Sequence, residues 1–143
     1  MNKLSESEAT EQRESIKTGE IGKITDRVIE LLGLSVAADT PVYIGQSNIS
    51  HMKASHPAYF NKYNTFIPDI ISNPDYVGLN NKDNSIEYAK EIAVDNEFVK
   101  VAVRVSTNDK YFARSIYALN KNRVNNFIAK GTLIKYEKSL DTE

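Results

Sequence analysis

The sequence predicts an α+β fold, in which N-terminal helices pack on a mostly antiparallel β-sheet. Three observations predict it. Between Glu20 and Ser72 the apolar residues recur at helical spacing or cluster in short runs opened by proline. From Tyr76 onward the period changes to the alternation of strands, clearest in FVKVAVRVS. A run of helices followed by a run of strands is the pattern of segregated layers rather than of a parallel sheet with crossover helices.

The elements follow in order. Ile21, Ile24, Val28, Leu31 and Leu32 predict an amphipathic helix over residues 20–32, stopped by Gly33. PVYIG (residues 41–45) is a short extended segment, and Ser47 is placed to cap a helix carrying Ile49 and Met52. That helix must end near Ser55, because the residue before Pro57 is pushed out of the helical region. Pro57 opens a second short helix bearing Tyr59, Phe60 and Tyr63, and Pro68 a third through Ile70 and Ile71, closed by Asn73 and Pro74. Strands are expected over Tyr76 to Leu79, around Ile86 to Ile92, and over FVKVAVRVS. The turn TND then returns the chain as KYFARSIYAL in a hairpin. Asn122 to Lys130 is a short helix stopped by Gly131, and TLIKY an edge strand.

With 143 residues the chain is long enough for one core without covalent help. The reading is a polar, disordered arm over residues 1–19, one domain over 20–136 and a flexible acidic tail over 137–143. The arm is acid-rich and lacks the apolar surface needed to order itself. The chain has no cysteine, which excludes disulfide scaffolds, thiolate metal sites and cysteine nucleophiles, and suits a reducing bacterial cytoplasm. No apolar run approaches membrane-spanning length and the first residues lack the regions of a signal peptide, so a soluble, cytoplasmic protein with no membrane partner is expected. Net charge is −1, but it is uneven. Residues 98–136 carry Lys100, Arg104, Lys110, Arg114, Lys121, Arg123, Lys130 and Lys135 against Asp109 alone. Such a segment is either a phosphate-attracting face or a solvated strand and helix surface.

Both histidines of the chain lie in ISHMKASHPAYFNKY, five positions apart. On an ideal helix that spacing places them about 140° apart, and the stretch holds no acidic residue, so no metal site is expected. The remaining readings are general acid/base chemistry, which suits a neutral imidazole, or a helix-capping His56 with His51 at the surface. Partners for acid/base work stand in KYFARSIYALNKNR. As a regular strand it puts Tyr111, Ala113, Ser115 and Tyr117 on one side and Phe112, Arg114 and Ile116 on the other, with Lys121 and Arg123 just beyond its end. In that reading Lys100, Arg104 and Arg114 face solvent and the Ser115–Tyr117 hydroxyl pair faces away. One groove holding all of them then requires a sheet edge, a bulge or a strong twist near Arg114. There is no GxSxG elbow, no phosphate-cradling glycine loop and no dinucleotide fingerprint, so neither a triad hydrolase nor a cofactor is expected.

The order of HMKASHP, NPDYVG, ARSIYALNKNR and KGTLIK resembles the phage-encoded nucleases related to barnase, EndoU, colicin and RelE toxins, over roughly residues 41–136. The resemblance implies a helices-then-sheet fold and metal-independent cleavage of RNA, with tRNA among the host RNAs that would serve. It assigns catalytic positions to His51, His56, Ser115 and Tyr117, where the family often has threonine in place of Ser115. Arg114, Lys121 and Arg123 would meet the substrate phosphates. The second function class is a non-catalytic module on the same fold, holding RNA or a host protein, and a protein inhibitor would be a further partner.

Overall fold

The computed structural model describes residues 15–92, 97–106 and 108–137. Of the arm expected over residues 1–19 and the tail expected over 137–143, residues 1–14 and 138–143 lie outside the described residues. The elements run β1 (Gly19–Ile24), α1 (Asp26–Leu32), β2 (Thr40–Ile44), α2 (Gln46–Ser55), α3 (Pro57–Tyr63), a 3₁₀ turn (Asn64–Phe66) and α4 (Ile67–Ser72). They continue with β3 (Tyr76–Leu79), β4 (Ile86–Ile92), β5 (Glu97–Val105), β6 (Tyr111–Leu119), α5 (Lys121–Ala129) and β7 (Ile134–Lys135). The strands form one seven-stranded sheet in the order β1-β2-β6-β5-β4-β3-β7. Every neighbouring pair is antiparallel except β2 and β6, which are parallel. The fold is α+β, as the change of period near Tyr76 predicts.

One element departs from the sequence reading. Residues 20–24 belong to β1, and the helix starts only at Asp26. The Thr25 hydroxyl accepts the Val28 amide at 3.3 Å, so Thr25 is the N-cap, and Gly33 closes α1 in the left-handed region at φ 65°. Upstream of that cap, Gly22 disfavours helix and serves the strand. Its bare Cα lets Ile71 of α4 come so near that an added Cβ would sit 2.9 Å from the Ile71 Cγ2. The β1–β2 register also shifts between Glu20 and Gly22, which breaks the alternation that a strand would otherwise show.

The main core lies on one face of the sheet. Val28, Ile49, Met52, Phe60, Tyr63, Ile67, Ile70 and Ile71 from α1 to α4 pack against Val42, Val77, Ile86, Tyr88, Val99, Val101, Val103 and Ile116. On the opposite face α5 brings Val124 and Phe127 onto Ala89, Phe98, Leu119 and Leu133. The side chain of Asn120 caps α5 by accepting the Arg123 amide at 2.8 Å. Ile16 packs against the main core, and its amide donates to the Asn64 Oδ1 at 2.8 Å.

Tyr88 is fully buried within the main core, and among the described residues its hydroxyl has no hydrogen-bond partner. Burial pushes its phenol well above the ordinary tyrosine range, with Tyr136 and Tyr111 adding to the shift. A donor left unpaired there costs more than a methine of the same shape. Tyr88→Phe is therefore expected to raise the unfolding free energy by about 1 kcal/mol, read as a higher urea midpoint at unchanged slope. The sign of the pH effect follows from linkage. The raised phenol contributes stability below the unfolded tyrosine pKa of about 10, and that stability is lost as pH climbs beyond it. The variant should show a shallower alkaline loss, and equal curves for both chains would refute the orphaned hydroxyl.

Candidate functional site

Pro57 divides the histidine stretch into α2 and α3, and His56 stands at the junction with φ −142°. It occupies the position before Pro57, where a capping role is expected, but its side chain makes no capping bond. Gly45, rather than Ser47, precedes α2, and its amide donates to the Asn48 Oδ1 at 2.8 Å. The segment from Gly45 to Tyr63 then runs beside β6. Because β2 pairs only with Tyr111 and Phe112, the rest of that β6 edge has no strand neighbour among the described residues, and α2 and α3 pack against it.

The β5–β6 register explains what this edge presents. Ala102 opposes Ser115 and Val103 opposes Ala113, so Arg114 is an extra residue with no counterpart on β5. The bulge resets the alternation. Tyr111, Ala113 and Ile116 lie on the helix-packed side, opposite Val105, Val103 and Val101. Phe112, Ser115 and Tyr117 share the other face with Arg104, Ala102 and Lys100. A regular strand put Tyr111 and Ala113 with Ser115 and Tyr117, and the inserted Arg114 corrects that grouping. The strand is thus irregular at Arg114, while Lys121 and Arg123 stay outside the cleft that Arg114 lines.

Two clusters result. In the first, Gly45, Ser47, Asn48, His51, Ser106, Phe112 and Arg114 line a cleft of about 390 Å³. No carboxylate lines it, and among the described residues Arg114 forms no ion pair. His51 is exposed, with its Nε2 3.4 Å from the Ser55 hydroxyl one turn on. In the second, the half-buried His56 ring stacks on Tyr59 at 5.8 Å between centroids and meets Tyr117 at 5.7 Å. His51 and Arg114 thus share the lining of one cleft, and the His56 and Tyr117 rings meet across the gap between the helical segment and β6. Ser115 lies between Arg114 and Tyr117, half-buried on the Tyr117 face.

Lys121 and Arg123 are exposed in the first turn of α5 and do not line the cleft. Arg123 extends over the Phe127 ring at 5.8 Å. Lys100, expected at the solvent face, is 4% exposed and ion-paired to Glu87 at 3.2 Å. The reason is α5, whose packing on that face of the sheet converts an alternating strand position into core. Arg104 bonds Asp83 at 3.3 Å. Hydrogen bonds from Ser85, side chain first and then amide, hold the Asp83 carboxyl below its ordinary range, with Arg104 adding to the effect. Sequence spacing missed Tyr59, Phe112 and Asn48 at the site. Tyr59 had a signal, three residues after His56 in a proline-opened helix. Among the described residues no group of three His, Asp or Glu side chains is placed to share a metal ion. Among those residues no helix is long and apolar enough to cross a membrane.

A helix-flanked, mostly antiparallel sheet thus carries, at one edge of β6, both imidazoles and a guanidinium that forms no ion pair among the described residues. The chain belongs to the phage-Barnase-EndoU-ColicinE5/D-RelE-like nuclease 3 family, whose model matches residues 19–126. The match takes in β1 and α1 and ends within α5, so the KGTLIK stretch lies beyond it. Membership in a nuclease family implies a nucleic-acid substrate. No curated protein and no solved structure matches the chain.

Proposed function

We propose that this chain is a metal-independent endoribonuclease, phage or mobile-element associated, acting on RNA in the bacterial cytoplasm. The observation that supports the reading is the cleft that His51 and Arg114 line together, beside the contact of His56 with Tyr117, along one edge of β6. RNA brings its own nucleophile. The ribose 2′-oxygen attacks the adjacent phosphorus, the P–O5′ bond breaks, one group takes the 2′-hydroxyl proton and another protonates the departing O5′. His51 and His56 are the two proton-transfer groups. Arg114 meets the charge that builds on the phosphorane oxygens, and Ser115 and Tyr117 hydrogen-bond phosphate or ribose. The test is incubation of the purified chain with tRNA, rRNA and mixed single-stranded RNA in EDTA. Fragments ending in 2′,3′-cyclic phosphate are expected. Salt-sensitive binding without cleavage would replace the enzyme by the binding module, and neither binding nor cleavage would overturn both.

The exposed cations of α5 extend the contact outside the cleft. Lys121→Ala and Arg123→Ala are each expected to weaken RNA binding and lower the salt slope by about one, the signature of a lost phosphate contact. Lys100→Ala should leave that slope unchanged, since its ammonium is buried and paired. Equal slopes in all three variants would show that α5 does not touch the substrate backbone.

A further inference from the structure

A buried lysine is an expensive way to fill a sheet face, because its charge must leave water and an apolar residue of similar volume would pack as well. The surroundings of Lys100 show what the charge adds. Its Nζ lies 3.2 Å from the Glu87 Oε1, 4.8 Å from the Tyr117 ring centroid and 5.0 Å from that of Phe127. Glu87 is steadied in turn by the Asn80 amide, which donates to its Oε2 at 3.4 Å. An ammonium shielded from water on a ring face attracts that face more strongly than an exposed one. Tyr117 therefore has the cation on one contact and the His56 ring, 5.7 Å away, on another.

We propose that Lys100 is a positioning residue, whose ammonium, fixed by Glu87 and Phe127, holds the Tyr117 ring in the orientation that presents it to His56. The catalytic part of this inference rests on the ribonuclease reading, and the ring geometry does not. Half-exposed Tyr117 sits at the edge of β6, packed only in part against the second core cluster, so the cation adds to what fixes its ring. A fixed ring keeps its hydroxyl and the neighbouring imidazole at a constant separation, which matters to a proton transfer more than to binding.

The test is the paired substitution Lys100→Met with Glu87→Gln, which keeps volume and leaves no buried charge without its counterpart. Removing both charges together leaves no buried charge unpaired, and the amide carbonyl introduced at position 87 can still accept from Asn80, so this chain should melt within a few degrees of the wild type. Its kcat on an oligoribonucleotide should fall about 10-fold with KM within about 2-fold, the split expected when an oriented group is loosened. Lys100→Arg with Glu87 intact keeps a cation over the ring and should recover most of the rate. In the wild type, nuclear Overhauser contacts are expected between the Lys100 ε-methylene and the rings of Tyr117 and Phe127, and between the Tyr117 and His56 rings. In the paired variant the Tyr117–His56 contact should weaken. A folded paired variant with unchanged kcat, or a wild type without the Lys100–Tyr117 contact, overturns the inference. Should the paired variant fail to fold, the wild-type contacts still decide. A wild type that cleaves no RNA overturns the ribonuclease reading instead, leaving the ring contacts to judge Lys100.

Discussion

The chain carrying both His51→Ala and His56→Ala is expected to fold as the wild type does and to cleave RNA at least about 10³-fold more slowly in EDTA, as befits loss of general acid/base catalysis. Folding should survive because neither imidazole is part of the core. His51 is exposed, with a long contact to Ser55, and the His56 ring meets Tyr59 and Tyr117 at the surface junction of α2 and α3. Substitutions away from core and caps typically cost less than about 1 kcal/mol. Activity should not survive, since the 2′-hydroxyl proton and the leaving oxygen each need a partner near neutral pH and the chain has no other imidazole. Each single variant should already lose most of the rate, because groups that serve one transition state are strongly non-additive. Rates of both singles and the double on one oligoribonucleotide, with melting curves alongside, measure this. A double variant that retains wild-type cleavage would remove the histidines from the mechanism.

How far the site could be read from the sequence is best seen in β6. The strand itself was legible, because FVKVAVRVS and KYFARSIYAL alternate around an obvious turn, and so was Pro57, which divides α2 from α3. The side-chain grouping on β6 was not legible, because one inserted residue reverses every later position, and nothing in ARSIY distinguishes a bulged arginine from a regular one. The demand for an irregularity near Arg114 did follow from the sequence, once basic and hydroxyl residues were required to share a groove. The fate of Lys100 was hidden for another reason. An alternating lysine reads as solvent-facing until a later helix covers that face, and α5 comes from more than twenty residues downstream. The same blindness to tertiary partners turned residues 20–24 into a helix. Their apolar spacing fits a helix, and only the Thr25 cap and the approach of Ile71 to Gly22 mark the strand.

Arg114→Ala is expected to lower kcat by about 10²–10³, the usual loss when a donor aimed at developing charge is removed, with a smaller effect on KM. The bulge gives this guanidinium its setting. As an extra residue it escapes the sheet's alternation, and it lines the His51 cleft with no carboxylate to neutralise it. Arg104 makes the contrast on the neighbouring strand, because its charge is already engaged by Asp83 and it lies outside the cleft lining. Arg104→Ala should therefore leave kcat nearly unchanged and serves as the control for lost positive charge in general. Arg114→Lys should recover only part of the rate, since an ammonium keeps the charge but not the planar fork that engages two phosphate oxygens at once. The salt dependence separates this residue from Lys121 and Arg123: loss at Arg114 should appear mainly in the chemical step at saturating RNA, whereas loss on α5 should appear in binding and its salt slope. If Arg114→Ala and Arg104→Ala reduce kcat equally, or Arg114→Lys restores it fully, the bulged guanidinium contributes field alone and the phosphorane is held elsewhere.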